Sequence, residues 1–311
     1  MPADLDTRTP CLDESSSLTT LQTAGYLLGR TLPCAVLHDE NAPTWATWSD
    51  PWVTHMPRDQ TQYQWASWLA ASSARTVVLA QNLVPAEAPD DWRTRGAAGE
   101  YDGYVRDLGA NLVARGFGRA VIRLAPKANG DWAKDSVGST AADWSAWRRY
   151  WARAANVLRA TPGSDFDVEW SLNAGYRNLP LDQIYPGDQA VDVVGISMLD
   201  SAPTAVGAAQ PARWQYQKAV AGGLDTQVAF ARTHGKPIAF SEWAALPTSR
   251  ADGAGDDAYY ADQISALVRG VPTRYQAYVN TPNGSVLRLQ DASGVRASWK
   301  RHYGVTGDAL R

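Results

Sequence analysis

The chain has 311 residues, 45% of them hydrophobic and 20% charged, with a formal net charge of −3. That balance is ordinary for a globular protein, and it gives no reason to expect nucleic acid or an anionic membrane as partner. No apolar run approaches the ~20 residues needed to cross a bilayer.

Short β-rich apolar stretches alternate with helical patterns from one end of the chain to the other. In chain order the strands are predicted at 9–12, 34–38, 76–80, 120–124, 166–171, 191–197, 238–241 and 275–279. Between them, Tyr101, Tyr104, Val105, Leu108 and Leu112 fall on one helical stripe, which Gly116 stops. Trp144, Trp147, Trp151 and Leu158 form a second stripe and are assigned to the core. A third helix ends near His234 and Gly235, and Pro237 opens the next strand. Eight strands with intervening helices predict one closed (β/α)8 barrel, a single domain over residues 1–311.

Chemistry in such barrels sits at the C-terminal ends of the strands. The polar and aromatic residues placed there are Asp39 and Glu40 with Trp45, then Gln81 and Asn82. Lys127, Asn129, Asp131 and Trp132 follow, then Asn173, Asp200, Glu242 with Trp243, and Asn280. The chain holds 14 Trp against 4 Phe. An indole face suits the C–H face of a sugar ring, although Trp also fills cores.

Two cysteines, Cys11 and Cys34, are too few for a disulfide framework or a structural zinc site. The strand count puts them on neighbouring strands, close enough to bond or nearly so. His38, His55, His234 and His302 make no metal-type pair, and no cofactor motif is present; none is expected. The first residues, MPADLDTRTP, have neither a basic nor an apolar leader region.

Three segments go beyond pattern: AVIRLAPKANGDW at 120–132, VDVVGISMLDS at 191–201 and HGKPIAFSEWA at 234–244. Together they resemble glycoside hydrolase family 26, especially its actinobacterial members. The helix GEYDGYVRDLGANLVARGFG and the stretch GRTLPCAVLHDENAPTWATW look like that group too. The resemblance covers nearly the whole chain. It implies a retaining glycosidase barrel with a carbohydrate ligand, with the acid/base glutamate ending the fourth strand and the nucleophile ending the seventh. An extracellular setting is implied with it. Glu242 falls at the nucleophile position. A retaining enzyme needs two carboxyl groups roughly 5–5.5 Å apart.

The departures from that pattern are equally specific. The acid/base position carries Lys127, flanked by Ala125, Pro126 and Ala128, and the sixth strand has Ser197 and Leu199 where the family has aspartate and tyrosine. A charged Lys127 beside Glu242 is a poor acid at neutral pH. The proton then comes from another carboxyl group, such as Asp131, Asp135, Glu169 or Asp200, or good leaving groups need no acid, or hydrolysis is lost.

The expected catalytic set is Glu242, Lys127 and Asp200, with Asp200 the better-exposed carboxyl. Asp39, Trp45, Asn129, Trp132, Asn173, Trp243 and Asn280 are expected to bind sugar. Arg123 and Glu169 are expected inside the barrel, supporting Glu242. The reading is a glycoside hydrolase acting on a polysaccharide or oligosaccharide with an unconventional proton donor. The alternatives are a carbohydrate-binding protein that has lost hydrolysis, and a lyase using Lys127.

Overall fold

The computed structural model describes residues 9–13, 17–39, 41–55, 64–206 and 209–303; Glu40 lies outside them. Eight parallel strands close into a barrel in sequence order. They are β1 (Pro10–Asp13), β2 (Cys34–Asp39), β3 (Thr76–Gln81), β4 (Val121–Leu124), β5 (Asp167–Asn173), β6 (Val193–Leu199), β7 (Ile238–Ala244) and β8 (Thr273–Val279). Each predicted strand is present. The ends agree to within three residues. The helices are α1 (Leu18–Leu28), α2 (Trp45–Ser49), α3 (Trp65–Ala70), α4 (Trp92–Ala98), α5 (Asp102–Ala114), α6 (Ala141–Arg159), α7 (Leu181–Ile184), α8 (Gln210–Ala219), α9 (Leu224–Thr233), α10 (Ala258–Gly270) and α11 (Ser293–Tyr303). Among the described residues no helix is long and apolar enough to cross a membrane.

Contacts divide the chain into two compact units, residues 37–195 and residues 1–36 with 196–311. In the second of these, β1 pairs with the start of β2 through Cys11↔Cys34 and Asp13↔Val36, and with β8 through Asp13↔Val279. Cys11 and Cys34 are joined by a disulfide with a Cα–Cα distance of 4.3 Å, as their neighbouring strands allow. β7 pairs with β8 through an irregular register between Phe240 and Trp243.

In the unit 37–195, β3 pairs with β4 and β4 with β5. α6 starts on a capping box between Thr140 and Asp143. Its stripe buries Trp147, Trp151 and Leu158 completely, so those indoles pack the core as the spacing predicts, whereas Trp144 is only half-buried and donates to the Gly138 carbonyl at 3.3 Å. On α5, Val105, Leu108 and Leu112 are buried. Gly116 follows at φ +89, a conformation that glycine adopts without penalty.

Candidate functional site

Glu242 lies in β7, 6% exposed. Its neighbours along the strand, Ser241 and Trp243, are buried at 0% and 1%. Side chains alternate faces along a strand, so Glu242 and Trp243 point to opposite sides. Trp243 is not a sugar platform: its indole donates to Gln276 Oε1 at 2.5 Å and packs edge-on against Tyr278, Trp299 and Tyr260. It wedges behind the strand that carries Glu242.

A second carboxyl group stands beside Glu242. Asp13 ends β1, 1% exposed, and a carboxylate oxygen of Asp13 lies within 4.8 Å of one of Glu242. The sequence prediction missed it because the strand was drawn to end at 12, one residue short. The rule applied elsewhere, a polar residue at a strand's C-terminal end, finds Asp13 once β1 is given its observed length. Asn280 fixes this strand end. Its N–H donates to the Asp13 carbonyl at 2.9 Å, and its Oδ1 accepts from Leu289 N at 2.7 Å.

Asp200 is not the exposed carboxyl expected from its place after β6. It is 1% exposed, accepting from Gln217 Nε2 at 2.9 Å and Arg213 Nη2 at 3.2 Å, both on α8. Burial raises its pKa to about 6, against the pull of the Arg213 charge. An aspartate so enclosed holds α8 onto the strand end.

In the other unit, the chain leaves β4 through an irregular turn. Ala125 and Lys127 have φ of +53 and +58, a region that costs a residue with a Cβ about 1–2 kcal/mol. Ala125 also precedes Pro126, whose ring disfavours helical backbone in the residue before it. The turn is secured by backbone bonds. Ala125 N donates to Gln81 O at 2.8 Å, and Gly130 N to Lys127 O at 2.7 Å. Lys127 is half-buried.

Asn129 is 1% exposed and clasps the end of β5. Its Nδ2 donates to Asn173 O at 2.9 Å, and its Oδ1 accepts from Asn173 N at 2.8 Å. This mutual pair braces two strand ends. Asp135, also buried, accepts from Leu83 N at 2.9 Å. Glu169 pairs with Arg123 at 3.4 Å, both side chains wholly buried, while Arg123 Nε donates to Ser171 Oγ at 3.0 Å. Arg123 and Glu169 are thus both buried, and they pair with each other.

Trp132 remains open, 60% exposed, edge-on to Tyr176 at 45%. The Tyr176 hydroxyl donates to Asp131 Oδ1 at 2.6 Å. A Cβ at Gly130 would come within 2.7 Å of the Trp132 ring, so glycine lets the indole fold over the turn. Trp45 does not present a face to solvent. It is 8% exposed and stacks on Tyr101 and Tyr104, with ring centroids 4.3 and 4.7 Å apart.

Asp39 ends β2 at the edge of a cavity of about 550 Å³, which His38, Asn41, Asp50, Trp52 and His55 also line. Its pKa is pushed up to about 6 by burial, against smaller opposing pulls from the Trp52 backbone and the Gln81 side chain.

No family model matches the sequence, and no curated protein matches it. Solved structures do. The YdhT protein from Bacillus subtilis is similar over 96% of this chain and 85% of its own, at 14% identity and TM-score 0.61. A modular endo-β-1,4-mannanase from Cellulomonas fimi, of glycoside hydrolase family 26, is similar over 90% of this chain at 17% identity and TM-score 0.59. This chain spans 66% of that protein's length. Bacillus subtilis mannanase man26 is similar over 97% of this chain and 88% of its own, at 15% identity and TM-score 0.57. Identities this low speak to architecture, and the architecture they agree on is a (β/α)8 barrel like that of glycoside hydrolase family 26.

Proposed function

We propose that the protein is a retaining glycoside hydrolase acting on a polysaccharide or oligosaccharide, with Glu242 as nucleophile. The observation that carries this reading is the pairing of Glu242 with Asp13 at the ends of β7 and β1. A carboxyl oxygen of each lies no more than 4.8 Å from the other, so the two groups are near enough to serve one glycosidic bond, as the carboxyl pair of a retaining glycosidase does. In the proposed cycle Glu242 attacks the anomeric carbon. Asp13 passes its proton to the departing glycosidic oxygen, then takes one back from the water that cleaves the glycosyl–enzyme bond. β-1,4-Mannan is the first substrate class to try, because two of the similar structures are mannanases.

The test is a hydrolysis screen on manno-, cello- and xylo-oligosaccharides, with Glu242→Gln as control. Aryl glycosides follow for Asp13→Asn. Turnover lost for poor leaving groups but kept for good ones, with azide restoring rate as a glycosyl azide product, supports Asp13 as proton carrier. Uniform loss on all leaving groups refutes that role.

The second reading, a carbohydrate-binding protein without hydrolysis, draws on Lys127 standing at the position where the family resemblance calls for the acid/base glutamate. Oligosaccharide binding by wild type without any turnover would favour it.

A further inference from the structure

The proposed chemistry places a reacting carboxyl group at the end of one short strand. β1 has four residues, Pro10–Asp13, and Asp13 is the last of them, where a strand held only by backbone bonds frays first. The residues in register with Asp13 on the two adjacent strands are Val36 and Val279. Valine can pack against a carboxyl group but cannot bond to it. On the β8 side the Asn280 N–H holds the Asp13 carbonyl at 2.9 Å. On the β2 side a covalent bond holds the strand, two residues back, between Cys11 and Cys34.

Side chains alternate along a strand, so Cys11 points to the same face as Asp13, and Leu12 points away. That face is the one on which Asp13 meets Glu242. At a rise of ~3.3 Å per residue the disulfide lies about 6–7 Å behind the carboxyl group along β1. Cys11 stands in register with Cys34 on one side and with Ala277 on the other, and all three are 0% exposed. Reactive cysteines sit in partly exposed surroundings, whereas buried ones are inert. The sulfurs therefore have no exchange chemistry to perform in the folded protein, and what they can do is fix position. A hydrogen-bonded ladder lets its terminal residue shift at little cost; a covalent crosslink two residues back does not.

We propose that the Cys11–Cys34 disulfide positions the carboxyl pair: it pins β1 to the start of β2 and so fixes Asp13 against Glu242. Cys11 and Cys34 are positioning residues, which touch no substrate and act through Asp13. The inference rests on the proposed function for its effect on the reaction, but not for the placement of Asp13.

The experiment removes both sulfurs, as Cys11→Ala with Cys34→Ala, and compares that protein with wild type and with Asp13→Asn. Should the double alanine protein fail to fold, Cys11→Ala with Cys34→Val restores most of the lost volume. A crystal structure of the variant is expected to show the Asp13 carboxyl group moved beyond 4.8 Å from that of Glu242. On glycosides with poor leaving groups kcat is expected to fall ~10–100-fold, the scale of a reacting group misplaced by about an ångström. KM is expected to stay unchanged and good leaving groups to be spared, as in Asp13→Asn. A merely structural bond lowers the melting temperature and produces no such leaving-group dependence. An Asp13 carboxyl group still within 4.8 Å of Glu242 overturns the inference, whatever the kinetics, and leaves the proposed function standing. So does a displaced Asp13 with kcat unchanged, or lowered equally on all leaving groups. A displaced Asp13 in a protein whose wild type hydrolyses nothing supports the positioning and removes the hydrolase.

Discussion

The ends of β4 and β7 carry the two residues on which the catalytic reading turns, and their backbones are unlike. β7 runs on as strand for two residues past Glu242, to Ala244. Behind it sits a packed Trp243 whose only polar atom is bonded to Gln276. Glu242 is therefore held by the pleat of a strand and the packing of a core. β4 stops at Leu124, and the next three residues include two in the left-handed region. Lys127 is held by turn geometry and by backbone bonds from neighbouring strand ends. The contrast teaches how one scaffold treats two kinds of position. A nucleophile that must meet an anomeric carbon is well served by a strand backed by a packed core, here beside an irregularity in the pairing with β8, whereas the turn after β4 stores local strain of the kind found at functional sites.

The largest expected effect tests the rigid end. Glu242→Gln keeps shape and removes the nucleophilic carboxylate, so kcat on any substrate found is expected to fall by ~10⁴-fold or more, with calorimetric binding nearly intact. A variant that turns over at the wild-type rate breaks the assignment. Next comes the buried ion pair beneath the β4 end. Arg123→Ala removes the buried cation that pairs with Glu169, and is expected to cost ~3–5 kcal/mol in urea unfolding. Arg123→Met with Glu169→Leu removes both charges, and should recover most of that loss.

Lys127→Glu puts a carboxyl group on the strained turn. If Lys127 has a positive role, activity should fall by ~10²-fold or more, the scale of acid–base assistance; a gain instead marks the missing proton donor as what limits the wild type. A smaller effect is expected from pH. Asp200 has a pKa of about 6 in the folded protein, above its unfolded value of ~3.9, so the native state binds its proton more tightly. Its contribution to stability is full below about pH 4 and is lost as pH rises toward 6. Asp200→Asn should flatten that part of a melting-temperature profile. The smallest effect is conformational: Ala125→Gly relieves a left-handed residue with a Cβ, and should raise stability by up to ~1 kcal/mol.

How far these regions could be read from the sequence follows from what each depends on. The eight strands are apolar β-branched runs bounded by turns, and they were legible to within a few residues. The core stripe of α6 was legible for the same periodic reason. Glu242 was found through a motif. Trp243 beside it was misread as a platform, although alternation along a strand already forbids two adjacent residues from lining one face. Asp13 was lost to a boundary one residue short. The remaining errors are tertiary. Nothing near Asp200 in sequence announces that Arg213 and Gln217 enclose it, and nothing near Trp45 announces the stacking of Tyr101 and Tyr104. Asn129 reads as a ligand group until its two side-chain bonds to the Asn173 backbone are seen.

The disulfide has a bearing on how the barrel comes apart. β1 is four residues long and pairs with β8 as well as β2, so it is the seam at which the first and last strands of the chain meet. Pairing across that seam closes nearly the whole chain into a loop, the contact with the greatest sequence separation and the slowest to reward its formation. The bond from Cys11 to Cys34 spans only 23 residues and removes about 3 kcal/mol of freedom from the unfolded ensemble in the loop-closure account. It keeps β1 docked on β2 when the seam to β8 opens, so that reclosure needs one strand edge to return rather than a free strand to be found. The joint that makes the barrel a closed ring is thus the one whose resilience depends on the redox state of its surroundings.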